Sequence, residues 1–328
     1  MSVLENKIDF AVILSVTNAN PNGDPLNGNR PRENYDGLGE ISDVCLKRKI
    51  RNRLQDQGQC IFVQSDDRSD DGCKSLKDRA MNYPELKTAL ESMKAKNSKK
   101  TKGTKTDTDN NIENVDPESA KEKASKIACE KWIDVRSFGQ VFAFSKEKKS
   151  TNNDEPNDQG QESGGVSIPI RGPVSIHPAF SVNPINITSL QITKSVNSET
   201  DPKDPYKKSS DTMGMKHRVD FGLYVAYGSI NCQLAEKTGF SEDDAGLIKK
   251  ALRTLFENDT SSARPEGSME VCKLYWWKHN CKSGQYSSAK VHRSLQITPK
   301  TDTPKSISDY EITLTNLEGL EPEILDGK

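Results

Sequence analysis

The chain has no excess of either charge. Its 328 residues hold 47 Lys and Arg against 48 Asp and Glu, a formal net charge of −1. No global field drives it onto nucleic acid or a membrane surface, so any anion site must be local. Apolar residues are also scarce, at 32%, below the share of an ordinary globular chain. The deficit sits in a few polar stretches, which points to loops inserted into a compact core. No apolar run approaches the roughly 20 residues of a membrane-spanning helix. Seven cysteines are scattered without CxxC spacing. With no signal peptide at the N-terminus, reduced thiols in the cytoplasm are the expectation. His279, Cys281, Cys272 and His292 come nearest to a metal set, but their spacing fits no zinc pattern, so neither metal nor cofactor is expected. Walker A, GxGxxG, GxSxG and HExxH patterns are absent. That removes the common nucleotide-binding, nucleophile-elbow and metalloprotease readings.

What is present concentrates between Ser15 and Leu54. An apolar, β-branched run over residues 8–16 predicts a buried strand. A loop rich in Asn, Gly, Pro and Asp follows, and these residues shape turns through unusual or fixed φ values. Ser42 and Asp43 can then cap a helix in which Leu46, Ile50 and Leu54 recur every four residues as an apolar stripe. Five cations (Lys47, Arg48, Lys49, Arg51, Arg53) fall in seven positions, with no acidic residue between Val44 and Gln55 to pair with them. A charged run is usually a solvated face. Here the local density favours a phosphate grip, because a helix holds several cations at phosphate-like spacing.

Further along, residues 60–63 read as a short strand, and Pro84 opens a helix carrying Leu86, Leu90 and Met93. Residues 95–118 are almost free of apolar side chains and read as a flexible insertion. A helix is expected from Glu118 to about Trp132. Residues 145–165 are a second low-complexity insertion, and 196–210 a third polar excursion. Strand-like segments cover 166–170, 174–177, 185–193, 218–230, 270–278 and 306–315. Ser241 and Asp244 make a capping box for an amphipathic helix expected to run to Asp259. The core order is an α+β arrangement, β-α-β-β-α-β, as in ferredoxin-like and RRM-like folds.

Other motifs stay open between ligand contact and structure. Asn20, Asn22, Arg30 and Arg32 can line an anion or a ribose edge. Asp24 can act as a general base or simply satisfy its turn; one carboxylate without a partner acid or His is weak support for catalysis. Arg136 beside Phe138 pairs a cation with a ring that can stack on a base or belong to the core. Arg171 beside Gly172 marks a close backbone approach or a strand-ending turn. Lys216, His217 and Arg218 follow Met213-Gly214-Met215, an arm that can wedge between bases or form a plain hairpin.

These blocks carry a resemblance. Asn20-Pro-Asn-Gly-Asp-Pro25, Pro31-Arg32 and the run from Gly37 to Asn52 closely resemble the N-terminus of the Csd-type backbone subunit of type I-C CRISPR Cascade, the seventh Cas family of the RAMP superfamily. The match continues through Asp134–Gly139, Ile170–Val174 with Pro184-Ile185, Met213–Tyr224, Lys237–Asp244 and Ser262–Arg264. It departs at the two polar insertions and after about Ser283.

The resemblance implies a non-enzymatic, crRNA-binding protein with an RRM-like palm and inserted finger and thumb loops. Copies would stack along the guide RNA, which pairs with target DNA in antiviral defence. Other partners would be the repeat-handle-processing, large and small Cascade subunits and a recruited helicase-nuclease, with no membrane. Mapped onto the chain, the palm comprises 1–63, 166–194 and 216–282. The finger region is 64–144, the thumb lies near 194–218, and 283–328 forms a C-terminal segment. Lys47, Arg48, Lys49 and Arg51 would grip guide phosphates, residues 20–32 would line the channel, and Met213 would sit near the thumb tip. The alternatives are an RNA-cleaving backbone subunit of type III kind that uses Asp24, and a free-standing single-strand RNA binder.

Overall fold

The computed structural model describes residues 2–99, 117–144, 166–195 and 213–328. A long strand β1 (Ile8–Ala19) leads into a loop with two short strands, β2 (Gly23–Asp24) and β3 (Arg30–Pro31), then β4 (Leu38–Ile41) and helix α1 (Asp43–Asp56). Next come α2 (Leu76–Met81), α3 (Pro84–Lys99), α4 (Pro117–Lys131) and α5 (Ile133–Phe138), and the strand pair β5 (Gly139–Phe144) and β6 (Val166–Arg171). Strands β7 (Val174–Ile176), β8 (Ala179–Pro184), β9 (Ile187–Thr193) and β10 (Met213–Ile230) precede α6 (Cys232–Thr238) and α7 (Glu242–Arg253). Then follow β11 (Met269–Lys278), α8 (Ser288–Ser294), β12 (Leu295–Pro299), β13 (Tyr310–Leu314) and β14 (Glu323–Asp326). The chain divides into two compact units. A helical unit holds Met1–Leu4, Leu54–Val174 and Asn231–Ala245; a sheet unit holds Glu5–Arg53, Ser175–Ile230 and Gly246–Lys328.

In the sheet unit the strand order is β14-β11-β1-β10-β8-β4, antiparallel at each step, with β7 and β9 also on β10. The apolar run of β1 is buried continuously from Ile8 to Val16, as befits a strand covered on both faces. Ala11 and Ile13 join Leu223, Tyr275, Trp277 and Val291 in one core. On the alternate positions of β1, Phe10 stacks on Trp276 with centroids 5.6 Å apart. Each such side chain contributes about 1.5–3 kcal/mol on burial. Strand β10 does two jobs: residues 219–230 lie along β1, while 213–219 lie along β9.

One acid sits inside β1. Asp9 is fully buried, with Lys7 Nζ at 3.0 Å and His279 Nε2 at 2.9 Å. His279 Nδ1 accepts the Gln285 N–H at 2.9 Å, so its Nε2 carries the proton given to Asp9. His292 Nε2 is 3.1 Å from the Gly228 carbonyl and donates to it. Two of the four residues nearest to a metal set are thus engaged within the sheet unit.

The helical unit has its own core. Ala120, Ala124 and Ala128 recur every four residues on α4 and are buried with Leu86, Leu90 and Met93 of α3. Small residues at that spacing let two helices approach closely. Phe62 packs edge-on against Trp132 at 4.8 Å and tilted against Phe142 at 5.0 Å.

Some expectations change. Residues 60–63 form no strand. The Phe62 and Val63 N–H groups bind the Asp134 carboxylate at 2.7 and 3.0 Å, and the Phe62 carbonyl accepts from Arg79 at 2.8 Å. Side chains take the backbone groups that a ladder would have used. Helix α7 stops at Arg253, short of Asp259; Thr254 Oγ1 turns back to the Lys250 carbonyl at 2.9 Å, and Asn258 takes a positive φ of 57°. The stretch 95–118 is helical at both ends, through Lys99 and from Pro117. Its remainder, like 145–165, lies outside the described residues. So does most of the expected thumb, 196–212, while 213–218 is strand. The C-terminal stretch 283–328 supplies α8, β12, β13 and the sheet edge β14.

Candidate nucleic-acid interface

The loop between β1 and α1 is held by its own polar side chains. Asn20 is buried; its N–H bonds the Ala263 carbonyl at 2.9 Å and its Nδ2 the Asn29 carbonyl at 2.7 Å. Asn22 Oδ1 accepts from both the N–H and the hydroxyl of Ser42, at 2.9 and 2.8 Å, and so ties the loop to the start of α1. Asp24 accepts the Leu26 N–H at 3.3 Å and pairs with Arg32 at 3.4 Å. Gly23 passes close to Asn29: a Cβ there would lie 2.9 Å from the Asn29 carbonyl oxygen, so the backbone of the turn would have to shift. The framework holds Leu26 and Tyr35 fully exposed, and Arg30 half-exposed near β9.

The cations of α1 split into two groups. Lys47 is half-buried and bonds Asp43 one turn back, at 2.9 Å. Arg48 and Arg51 are also only half-buried. Lys49 and Arg53 are not solvent-facing, as a helix of phosphate-gripping cations would require. Lys49 is 4% exposed, ion-paired with Asp259, and 5.5 Å above the Phe256 ring. Burial lowers its pKa from the ordinary lysine value, against the pull of Asp259. Arg53 bonds Thr254 Oγ1 at 2.9 Å and Glu257 at 2.6 Å. The acids missing from residues 44–55 arrive from beyond α7. Asp259 also binds Arg264 at 3.1 Å. Asp259 carries no local pattern in the sequence; Arg264 does lie in one of the resembling blocks.

The base of the β9–β10 pair brings in a third element. Arg30 Nη1 donates to Ser189 Oγ at 3.2 Å, and Ser189 Oγ lies 2.8 Å from His217 Nδ1. The loop after β1 and the start of β10 therefore meet at one serine, which sequence reading missed because a strand serine has no distinguishing neighbour. Met213 and Met215 are exposed on the His217 face of β10. Lys216 and Arg218 alternate to the other face. Arg218 Nε is buried and meets no hydrogen-bond acceptor among the described residues.

The remaining predicted residues lie in the helical unit. Arg136 grips Asp244 with two nitrogens, at 2.9 and 2.7 Å, and reaches the Cys129 carbonyl at 3.2 Å. Asp244 in turn completes the capping box with Ser241, at 2.9 and 3.1 Å. Phe138 is half-buried, and Arg171 is exposed at the end of β6. The glycines beside them serve the backbone: a Cβ on Gly139 would lie 2.2 Å from the Ile170 carbonyl, and one on Gly172 2.3 Å from that of Ser137. The close approach signalled by Arg171-Gly172 is between two segments of this chain.

Three comparisons bear on this arrangement. The family model described as "CRISPR-associated protein Cas7" matches residues 6–315. A curated protein of Haloferax volcanii, also described as CRISPR-associated protein Cas7, is 24% identical over 317 residues, covering 95% of this chain and 82% of its own length. Among solved structures, a chain of a "CRISPR RNA-guided surveillance complex, pre-nicking" aligns over 86% of this chain and 81% of its own, with 13% identity and a TM-score of 0.43. A chain of another "CRISPR RNA-guided surveillance complex" aligns over 83% and 68%, with 12% identity and a TM-score of 0.39.

Proposed function

The chain belongs to the CRISPR-associated protein Cas7 family, and on that footing we propose that it is a crRNA-binding backbone subunit of Cascade, of type I-C, acting without catalysis in several copies along one guide. The observation that carries the reading is the meeting of Arg30 and His217 at Ser189. Two basic segments nearly two hundred residues apart in sequence share one surface of the sheet unit. Lys47, Arg48 and Arg51 on α1, with Arg30 and Arg32 in the loop, would neutralise guide phosphates, and Lys216 and His217 would add to them. Lys49, with its charge already paired inside the unit, is left out of the grip, and so is Arg136. The strand order β11-β1-β10-β8, with α1 between β1 and β8 in the chain and α7 between β10 and β11, supports an RRM-like palm. The region 194–218 would be the thumb and Phe138 would belong to the finger side; Arg171, expected in the palm, lies in the same compact unit as Phe138 and would join it. Base pairing reads sequence while the protein reads backbone. Target DNA, other Cascade subunits and a helicase-nuclease complete the set of partners, and the cytoplasm is the expected compartment.

Purification with the products of neighbouring genes tests this directly: an RNA of defined length should accompany the protein. Replacing Lys47 and Arg51 together by Ala should weaken guide binding by about tenfold at moderate salt and lower the salt slope by about two, alike for all spacer sequences. A loss confined to one guide would refute the phosphate role. Asp24 is committed to the Leu26 N–H and to Arg32, which suits a residue that shapes the turn. An Asp24→Ala variant that assembles but loses RNA cleavage would reverse that assignment in favour of an RNA-cleaving enzyme.

A further inference from the structure

The sequence holds two Asn-Gly pairs, Asn22-Gly23 and Asn27-Gly28, and both fall in the loop between β1 and α1. Asn-Gly is the pair most open to spontaneous deamidation, because glycine has no Cβ to hinder its amide nitrogen as it approaches the Asn carboxamide. Fold decides whether that carboxamide is free to swing. Asn22 is not. Its Oδ1 accepts from the N–H and the hydroxyl of Ser42, at 2.9 and 2.8 Å, and its carbonyl accepts the Arg32 N–H at 3.1 Å. Asn27 is the opposite case. It ends a single 3-10 turn, Pro25–Asn27, between the paired strands β2 and β3. Both Asn27 and Gly28 are exposed, and the Asn27 carboxamide makes no hydrogen bond among the described residues. A Cβ built on Gly28 would meet nothing within 4 Å, so nothing crowds the peptide nitrogen; the φ of 56° at Gly28 favours glycine there.

The charge of the loop gives the reaction a consequence. Residues 20–33 carry two acids, Asp24 and Glu33, and two cations, Arg30 and Arg32. Asp24 pairs with Arg32 at 3.4 Å, and Glu33 lies 4.0 Å from Arg30. One more carboxylate turns a neutral loop negative. We propose that Asn27-Gly28 is a self-modification site, whose deamidation puts that carboxylate into the loop and weakens guide binding. The effect on the guide rests on the guide-RNA reading; the site itself does not. In the first step the Gly28 nitrogen attacks Asn27 Cγ. The N–Cγ bond forms, the Cγ–Nδ2 bond breaks, and ammonia leaves with the Gly28 amide proton. Water then opens the cyclic imide at either carbonyl. One opening leaves Asp, the other isoaspartate, whose backbone runs through the side-chain carboxyl carbon. The sum is amide plus water to acid plus ammonia, with no change of oxidation state. A guide lying over the loop would hold the turn still, so RNA-free chains should age faster than loaded ones.

The test stores the protein, RNA-loaded and freed of RNA, at mildly alkaline pH in water labelled with heavy oxygen. Peptide mass spectra then locate the label; both pairs lie between Lys7 and Arg32, within one tryptic peptide that fragmentation resolves. Asn27 should take up label at least about tenfold faster than Asn22, whose hydrogen bonds must first break. Aged wild-type chain should bind guide about threefold more weakly than fresh chain, with a salt slope smaller by about one. Asn27→Ala should bind alike before and after storage, and fresh Asn27→Asp should already bind as weakly as the aged wild type. No label at Asn27, or equal labelling at Asn22, would overturn the site. A decline shared by Asn27→Ala, or full binding by Asn27→Asp, would overturn its effect. Equal labelling rates with and without RNA would instead count against a guide lying over this loop, and absence of RNA from the wild-type preparation against the guide-RNA reading; the label at Asn27 would still decide the site.

Discussion

Two blocks of this chain look alike in sequence and are used differently. Residues 134–139 and residues 20–51 each combine cations with Gly, Asn or an aromatic, and each resembles the same family. In the first block the chemistry is turned inward. Asp134 holds two backbone N–H groups, Arg136 clamps Asp244, and Gly139 makes room for a neighbouring strand. In the second, side chains facing inward build a frame, and other cations stay at the surface. Asn20, Asn22 and Asp24 fix the loop, Lys49 and Arg53 are paired, and Arg30, Lys47, Arg48 and Arg51 remain half-exposed. A cationic motif therefore says little until the position of its acids is known, because a buried acid far along the chain converts a ligand contact into a strut.

The sharpest way to break this contrast is Asp134→Ala. The carboxylate is fully buried, and its loss leaves the Phe62 and Val63 N–H groups without partners. Each orphaned donor costs about 1–3 kcal/mol, so chemical denaturation should show a loss of about 3 kcal/mol. A loss below about 1 kcal/mol would mean that the segment finds other acceptors, and the block would not be structural. Arg136→Ala comes next, at about 2 kcal/mol, since it strands an Asp244 that is 4% exposed on its side chain. Arg136→Lys should restore less than half, because a lysine cannot give two parallel bonds. Full rescue by lysine would show that charge alone matters there. Lys47→Ala, on the exposed side of the comparison, should change stability by less than about 0.5 kcal/mol.

How far the sequence carried the fold can be argued from the same residues. The β1 run, the α1 stripe and helix α4 are local patterns; α4, expected from Glu118 to about Trp132, runs from Pro117 to Lys131. Residues 60–63 also have strand-like composition, but their hydrogen bonds go to Asp134 and Arg79, which no local window contains. The α7 stripe of Ala245, Ile248 and Leu252 continues through Leu255 after the helix has ended, because burial persists through a turn that periodicity cannot see. At the site, five clustered cations were legible. Which of them face solvent was not, since Asp259 and Glu257 lie more than two hundred residues away. Ser189 was invisible for the same reason: its meaning comes from Arg30 and His217, which fold brings to it.

Acid should affect both units. In the sheet unit, burial alone would raise the Asp9 pKa, but hydrogen bonds from His279, Ser288 and Lys7 outweigh it and hold it below the ordinary value. In the helical unit, the Arg79 hydrogen bond holds Asp71 well below the usual carboxylate range. A carboxyl whose pKa is depressed on folding contributes stability above its unfolded pKa, near 4, and loses it as pH falls toward the folded value. The urea midpoint should be insensitive to these groups at pH 7 and fall as pH drops from about 5 toward 2. Asp9→Asn and Asp71→Asn should each flatten part of that fall. A wild-type profile that stays level down to pH 3 would show that neither acid is held in its ionised form by folding.

The smallest effect belongs to the serine where the two basic segments meet. Ser189→Ala removes one hydroxyl that accepts from Arg30 and bonds His217. All three groups are at or near the surface, so water replaces the lost bonds and the melting temperature should move by no more than about one degree. The substitution removes no charged side chain, so the salt slope of guide binding should also stay. What is lost is orientation. Two side chains that were aimed by a shared partner become free rotors, and ordering them on binding costs about 0.5–1.5 kcal/mol each at most. Guide affinity should therefore drop about two- to threefold with an unchanged slope. Lys47→Ala with Arg51→Ala, by contrast, should lower slope and affinity together. If Ser189→Ala leaves affinity untouched while the double α1 variant abolishes it, the loop and the β9–β10 base do not share a ligand, and the guide lies along α1 alone.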